Sequence, residues 1–83
     1  MFQYKDIKEI IKKEDVLQVI TSDFNGGLCK LIKLTESYIH VGPLSSPDKE
    51  NFGSISHEAL LPLELVTVIL KIDLNELKET ADE

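Results

Sequence analysis

Only seven residues, Leu28–Leu34, separate the turn signal Asn25-Gly26-Gly27 from the turn signal Thr35-Glu36, and the next extended run, Ser37–Gly42, begins at once. A parallel strand pair needs a crossover of about a dozen residues or more. None fits here, so these runs must pair antiparallel. The same spacing argues against a phosphate-cradling loop in "SDFNGGLCK". Such a loop needs a helix after its glycines, so that backbone N–H groups and the helix dipole face the anion. Here a strand follows, and no Lys-Ser or Lys-Thr pair is present. The glycines read as a hairpin turn whose residues accept positive φ.

Further strands follow from residue type. Val16–Ser22 is rich in β-branched residues, and Leu28–Leu34 and Ser37–Gly42 continue the pattern. Pro43–Ser54, with two prolines and a glycine, reads as a loop. Ser54–Leu60 is the expected fourth strand. Pro62 interrupts it, and "PLEL" reads as one helical turn. Val66–Ile72, almost wholly apolar, is expected to be buried on both faces or paired on both edges. Ahead of the strands, Tyr4, Ile7, Ile10 and Ile11 recur at helical spacing, which predicts an amphipathic helix over Phe2–Asp15 that lies as a lid on the sheet. Its lysines, Lys5, Lys8, Lys12 and Lys13, could instead touch RNA or a membrane, but Asp6, Glu9, Glu14 and Asp15 dilute them. Asp73 could cap a short helix, although residues 73–83 read chiefly as an acidic C-terminal tail.

Charge and composition bound the function. The chain of 83 residues is one domain at most, and a domain this small is marginal without a supplement. Cys29 is the single cysteine, so no internal disulfide forms, and it reads as a small buried hydrophobe. His40 and His57 have no companions at zinc spacing. No cofactor and no metal is expected, which leaves self-association as the available supplement. Residues 1–42 carry six Lys and six Asp/Glu; residues 43–83 carry three Lys and nine Asp/Glu, so the net charge of −6 lies in the second half. There is no arginine, the usual residue for bidentate contacts to phosphate and guanine, and this argues against a tight binder of double-stranded DNA. A charged start and no long apolar run point to a cytoplasmic chain outside the membrane.

The order of elements resembles the Sm-like (Lsm) small β-barrels. "VLQVITSDFNGGLCKLIKLTESYIHVG" is similar to the first motif of that family, with Gly27 opening a long bent strand. "ISHEALLPLELVTVIL" is similar to the second, with its short turn before the last strand. The signature residues differ. Lys33 or Leu34 stands where the family has Asp, Ser37 where it has Asn, and Ser56-His57-Glu58 near where it has Arg-Gly. The resemblance implies an N-terminal helix followed by a five-stranded, strongly bent antiparallel barrel of the SH3-like kind. It also implies a ring of identical subunits in which strand four of one joins strand five of the next, with Ile55, Val66, Val68 and Leu70 at the seam. Single-stranded RNA would then sit at the pore or face, on Lys33, Ser37, Tyr38 and His57.

The residues themselves keep a second reading open, a structural or protein-interaction ring without RNA. Glu36 and Glu58, repeated around an axis, would repel phosphate. Tyr38 and His40 alternate with Ile39 and Val41, so one pair faces the core and the other solvent. An enzyme is not expected. Ser56, His57 and Glu58 are sequence neighbours whose side chains diverge on a strand, so they form no relay.

Overall fold

A computed structural model describes residues 3–25 and 27–81, with the side chains of residues 78–81 left out. The element order is α1 (Tyr4–Ile7), β1 (Val16–Thr21), β2 (Leu28–Leu34), β3 (Tyr38–Gly42), α2 (Asp48–Phe52), β4 (Ala59–Pro62), a 3-10 turn (Leu63–Leu65), β5 (Val66–Lys71) and α3 (Leu74–Ala81). The strands form one antiparallel sheet in the order β4-β3-β2-β1-β5. Its two edges are therefore β4 and β5. No described helix is long and apolar enough to cross a membrane.

β2 carries the bend. Its first half pairs with β1, Val16 opposite Lys30 and Gln18 opposite Leu28. Its second half pairs with β3, and the register shifts between Leu31 and Lys33. A residue inserted in this way kinks a strand and increases its twist. Gly27 enters β2 at φ +91°, a conformation that L side chains rarely adopt. The connection before it is wider than a tight hairpin. β1 and β2 part after Gln18, and Val19–Thr21 pair with β5 alone.

Alternation sets the core. Leu17, Val19, Cys29, Ile39 and Val41 are fully buried on one face, and Leu31, Leu61, Leu63 and Val66 close around them. At about 25 cal/mol per Å² of apolar surface removed from water, this face dominates stability. Tyr38 and His40 take the opposite face of β3, as the alternation requires.

Four expectations are corrected. The helix expected over Phe2–Asp15 is α1 alone, followed by turns; Phe2 itself lies outside the described residues. The sheet claims the end of the segment. Glu14 N–H donates to Leu31 O at 2.9 Å, and Leu31 N–H donates to Asp15 O at 2.9 Å. Glu14 sits at φ 79°, and the Asp15 carboxylate accepts the Lys12 N–H at 2.8 Å, so the helix cannot run through. Ile7 and Ile11 still pack into the core, while Ile10 is 64% exposed.

The fourth strand begins at Ala59 rather than Ser54. Ser54 is held in a loop, where its hydroxyl accepts the Leu44 N–H (2.9 Å) and donates to Ile55 O (2.8 Å). Pro62 ends the strand instead of interrupting it. An edge strand tolerates proline where no ladder donor is needed.

β5 is neither buried on both faces nor paired on both edges. Val66 and Ile69 join the core, whereas Val68 and Leu70 are 37% and 44% exposed, and the only described partner of β5 is β1. Helix α3 occupies most of the segment read as a tail. The Asp73 carboxylate accepts the Asn75 N–H at 2.9 Å, the expected cap.

Candidate functional site

Two surfaces carry the sequence-derived candidates. The first is built on the β2–β3 turn. Thr35 Oγ1 accepts the N–H groups of Ser37 (3.2 Å) and Tyr38 (3.1 Å), and Thr35 N–H donates to Tyr38 O at 2.9 Å. A threonine that satisfies two turn donors in this way fixes the loop locally. The 3-10 turn is attached to it, because Leu63 N–H donates to Ser37 O at 3.0 Å. With α1 as a third wall, these elements enclose an open cleft of about 640 Å³. Gln3, Tyr4 and Lys5 border one side, and Glu36, Ser37 and Glu64 the other. The Lys8 ammonium lies 5.4 Å from the Tyr4 ring centre, a cation–π distance. Among the described residues, Lys5 is the sole cationic side chain lining the cleft, against two carboxylates, a balance that disfavours phosphate there.

The second surface surrounds Ser56–Glu58. His40 Nε2 and Glu58 Oε1 are 2.7 Å apart, which ties β3 to the segment leading into β4. Gly42 lies under the same segment, and a Cβ there would meet Ile32 Cδ1 at 2.7 Å and Glu58 Cγ at 3.3 Å. His57 borders a shallow hollow of about 410 Å³ with Phe24, Ile55 and Ala59.

The expected site residues do not come together within the chain. β3 and β4 pair from Tyr38 opposite Pro62 to Val41 opposite Ala59. Ser37 therefore lies beyond one end of this strand pair and His57 beyond the other, with about 10 Å of paired strand between them at about 3.3 Å per residue. Lys33 is exposed and stands opposite His40, beside the second surface. Tyr38 is half-buried at the start of β3. Of the seam residues, Ile55 and Val66 are buried in the chain's own core, and Val68 and Leu70 are exposed on β5.

Leu63 and Glu64, which share the cleft with Ser37, escaped the sequence reading because strand four was placed too early, and Tyr4 was read only as part of the helical stripe. Pro62 held the signal. A proline reads as easily as the end of an edge strand as it does as a break. The His40–Glu58 pair, whose partners stand eighteen positions apart in the sequence, has no local signal at all.

The Cys29 thiol is fully buried and donates to Leu17 O at 3.3 Å. Burial pushes its pKa up to about 11, partly offset by a backbone hydrogen bond from Val19, so it is a poor nucleophile at neutral pH. Among the described residues, no group of three His, Cys, Asp or Glu side chains is placed to hold a metal ion. Comparison with protein-family models, curated proteins and solved structures returns no match for this chain.

Proposed function

We propose that this chain is a non-enzymatic, self-associating β-module, an Sm-like small barrel whose copies join β4 of one to β5 of the next. One observation carries the reading: β4 and β5 are the two edges of the sheet, and the exposed apolar side chains of Leu60, Val68 and Leu70 lie on them. An edge strand offers unpaired N–H and C=O groups, and proteins normally blunt it with charge or proline. β5 has neither along Val66–Leu70. Different edges that meet head to tail give a ring when the rotation closes. The bulge in β2, and its division between β1 and β3, supports the barrel form of the sheet.

The assembly rather than RNA is taken as the activity. Glu36 and Glu64 line the cleft that holds Ser37, and Lys30 is engaged by Glu14 (3.3 Å) and by the Ser45 hydroxyl (3.3 Å), so the cleft sets two carboxylates against an incoming phosphate backbone and Lys30 is already paired. Sedimentation and light scattering test this reading. Oligomers are expected at micromolar concentration, and a Val68→Lys chain is expected to be monomeric and folded. A wild-type monomer at those concentrations would sink the proposal. Fluorescence anisotropy with labelled uridine-rich RNA at low salt is expected to show no binding, and saturable binding would move the reading to an RNA ring.

A further inference from the structure

The two edges of the sheet differ in which backbone groups they leave free. In an antiparallel pair, residues that exchange N–H and C=O bonds with the neighbouring strand alternate with residues whose groups point away from it. Leu63 N–H donates to Ser37 O at 3.0 Å, in register with the β3–β4 ladder. Leu61 and Ala59 therefore turn their backbone groups to β3, and the N–H and C=O of Leu60 point out from the edge. The C=O of Pro62 points out as well, but proline has no N–H. On the opposite edge, Ile72 N–H donates to Val16 O at 2.9 Å, in register with the β1–β5 ladder. Leu70 and Val68 therefore turn their backbone groups to β1, and those of Ile69 and Lys71 point out.

The side chains add a second asymmetry. Leu60 and Pro62 are exposed on the face of β4 away from the core, while Ala59 and Leu61 turn toward it. Val68 and Leu70 share that outer face on β5. Ile69 turns inward, where with Ile7, Ile10 and Ile11 it lines an apolar groove of about 190 Å³.

Strand number fixes the direction. All pairings are antiparallel and the sheet has five strands, so its edges β4 and β5 run the same way. A second copy added with the same face forward brings its β4 alongside β5 in parallel. In a parallel pair the bonds slant, so each residue bonds to the two neighbours of the residue beside it. With Leu60 beside Val68, Leu60 O accepts the Ile69 N–H and Pro62 O accepts the Lys71 N–H. Both outward donors of β5 are then used, and the missing N–H of Pro62 costs one bond, to Ile69 O. An antiparallel pair would set Leu60 on the face of Ile69 and turn Val68 and Leu70 toward the core face of the second copy, where Ala59 and Leu61 are already packed.

We propose that β4 of one copy adds to β5 of the next in parallel, Leu60 beside Val68 and Pro62 beside Leu70, so that the outer faces merge and cover their exposed apolar side chains. This rests on the self-associating reading and names the polarity and register of its seam. The repeated contact is heterologous, as a closed ring requires.

The test uses the full chain. Leu60→Cys and Val68→Cys chains are mixed and treated with a short bismaleimide, to which the buried Cys29 thiol stays unreactive at neutral pH. Cross-linked pairs are expected from the mixture and not from either variant alone. A mixture of Leu60→Cys with Ile10→Cys, whose cysteines would lie on opposite faces, is expected to give none. Amide exchange supplies a readout free of cysteines. The Ile69 and Lys71 amides are expected to exchange about tenfold or more slowly in the wild-type assembly than in Val68→Lys chain, while the Leu70 amide, already bonded to β1, is unchanged. Cross-linking of Leu60→Cys to Ile10→Cys but not to Val68→Cys overturns the parallel seam and leaves the strand-edge reading standing. An assembly that Val68→Lys disperses, but whose Ile69 and Lys71 amides exchange as in that variant, does the same. A wild-type chain that stays monomeric removes both.

Discussion

β1 and β5 are six-residue strands of nearly the same composition, and they pair with each other along almost their whole length. Their fates differ. β1 lies second from the sheet edge, flanked by β2 along its first half and by β5 along most of its length, and its Leu17, Val19 and Thr21 are buried. β5 has one partner strand and leaves Val68 and Leu70 a third to a half exposed. Burial here is set by position in the sheet and not by hydrophobicity. Residues of the same kind stabilise the fold in one strand and leave a surface in the other. In a domain of this size the two roles complement each other, because the core alone is small.

Leu17→Ala is the hardest test of the inner half of this contrast. It empties a fully buried site and is expected to cost about 2–5 kcal/mol in urea unfolding. A loss below about 1 kcal/mol would mean that β1 is not the core strand. Thr35→Ala probes the turn that orders the cleft. It removes the acceptor of two turn N–H groups and is expected to cost about 1 kcal/mol, and the amide signals of Ser37 and Tyr38 should shift. Asp73→Ala should lower the helicity of α3 by the loss of a cap, about 1 kcal/mol locally, and leave the unfolding midpoint of the sheet nearly unchanged. Val68→Lys is the smallest change in intrinsic stability, within about 0.5 kcal/mol, because the side chain is already partly exposed. Its effect should appear in sedimentation instead. If that variant unfolds the chain, β5 belongs with β1 and the contrast fails.

Cys29 supplies a pH test of the inner strands. Its folded pKa, about 11, lies above the ordinary 9.0, so the folded state holds the proton more tightly than the unfolded state. The contribution is fully present below pH 9 and is lost as pH rises through 11. A Cys29→Ser comparison isolates this loss in unfolding curves taken from pH 8 to pH 11. In native protein at pH 8 the thiol should react with a disulfide reagent about a hundredfold more slowly than in urea, in line with its smaller thiolate fraction and its burial.

Much of the sheet was legible in residue order. β2 falls on Leu28–Leu34, and the β-branched runs locate β1, β3 and β5 to within one residue, because strand propensity and alternation are local properties. Local signals failed where tertiary pairing overrode them. The isoleucines of the N-terminal segment keep helical spacing, yet β2 draws Glu14 and Asp15 into its ladder and the helix stops at Ile7. Ser54–Glu58 alternates like a strand, but a serine side chain satisfies the backbone locally and pairing begins only at Ala59. The candidate site suffered most, since it depended on where strand four ended. Ser37 came out beside Glu64 and Tyr4, and apart from His57.

The sequence by itself determined that the strands run antiparallel, since no crossover fits between the turns, and that one face of each would be apolar, since alternation at a period of two is written into the residue types. Tertiary structure alone decided which strands became edges. Pairing order depends on contacts between segments far apart in the chain, and nothing local distinguishes a β-branched strand that will find two neighbours from one that will find a single neighbour. That order left Val68 and Leu70 uncovered and put the groove of Ile10 beside them.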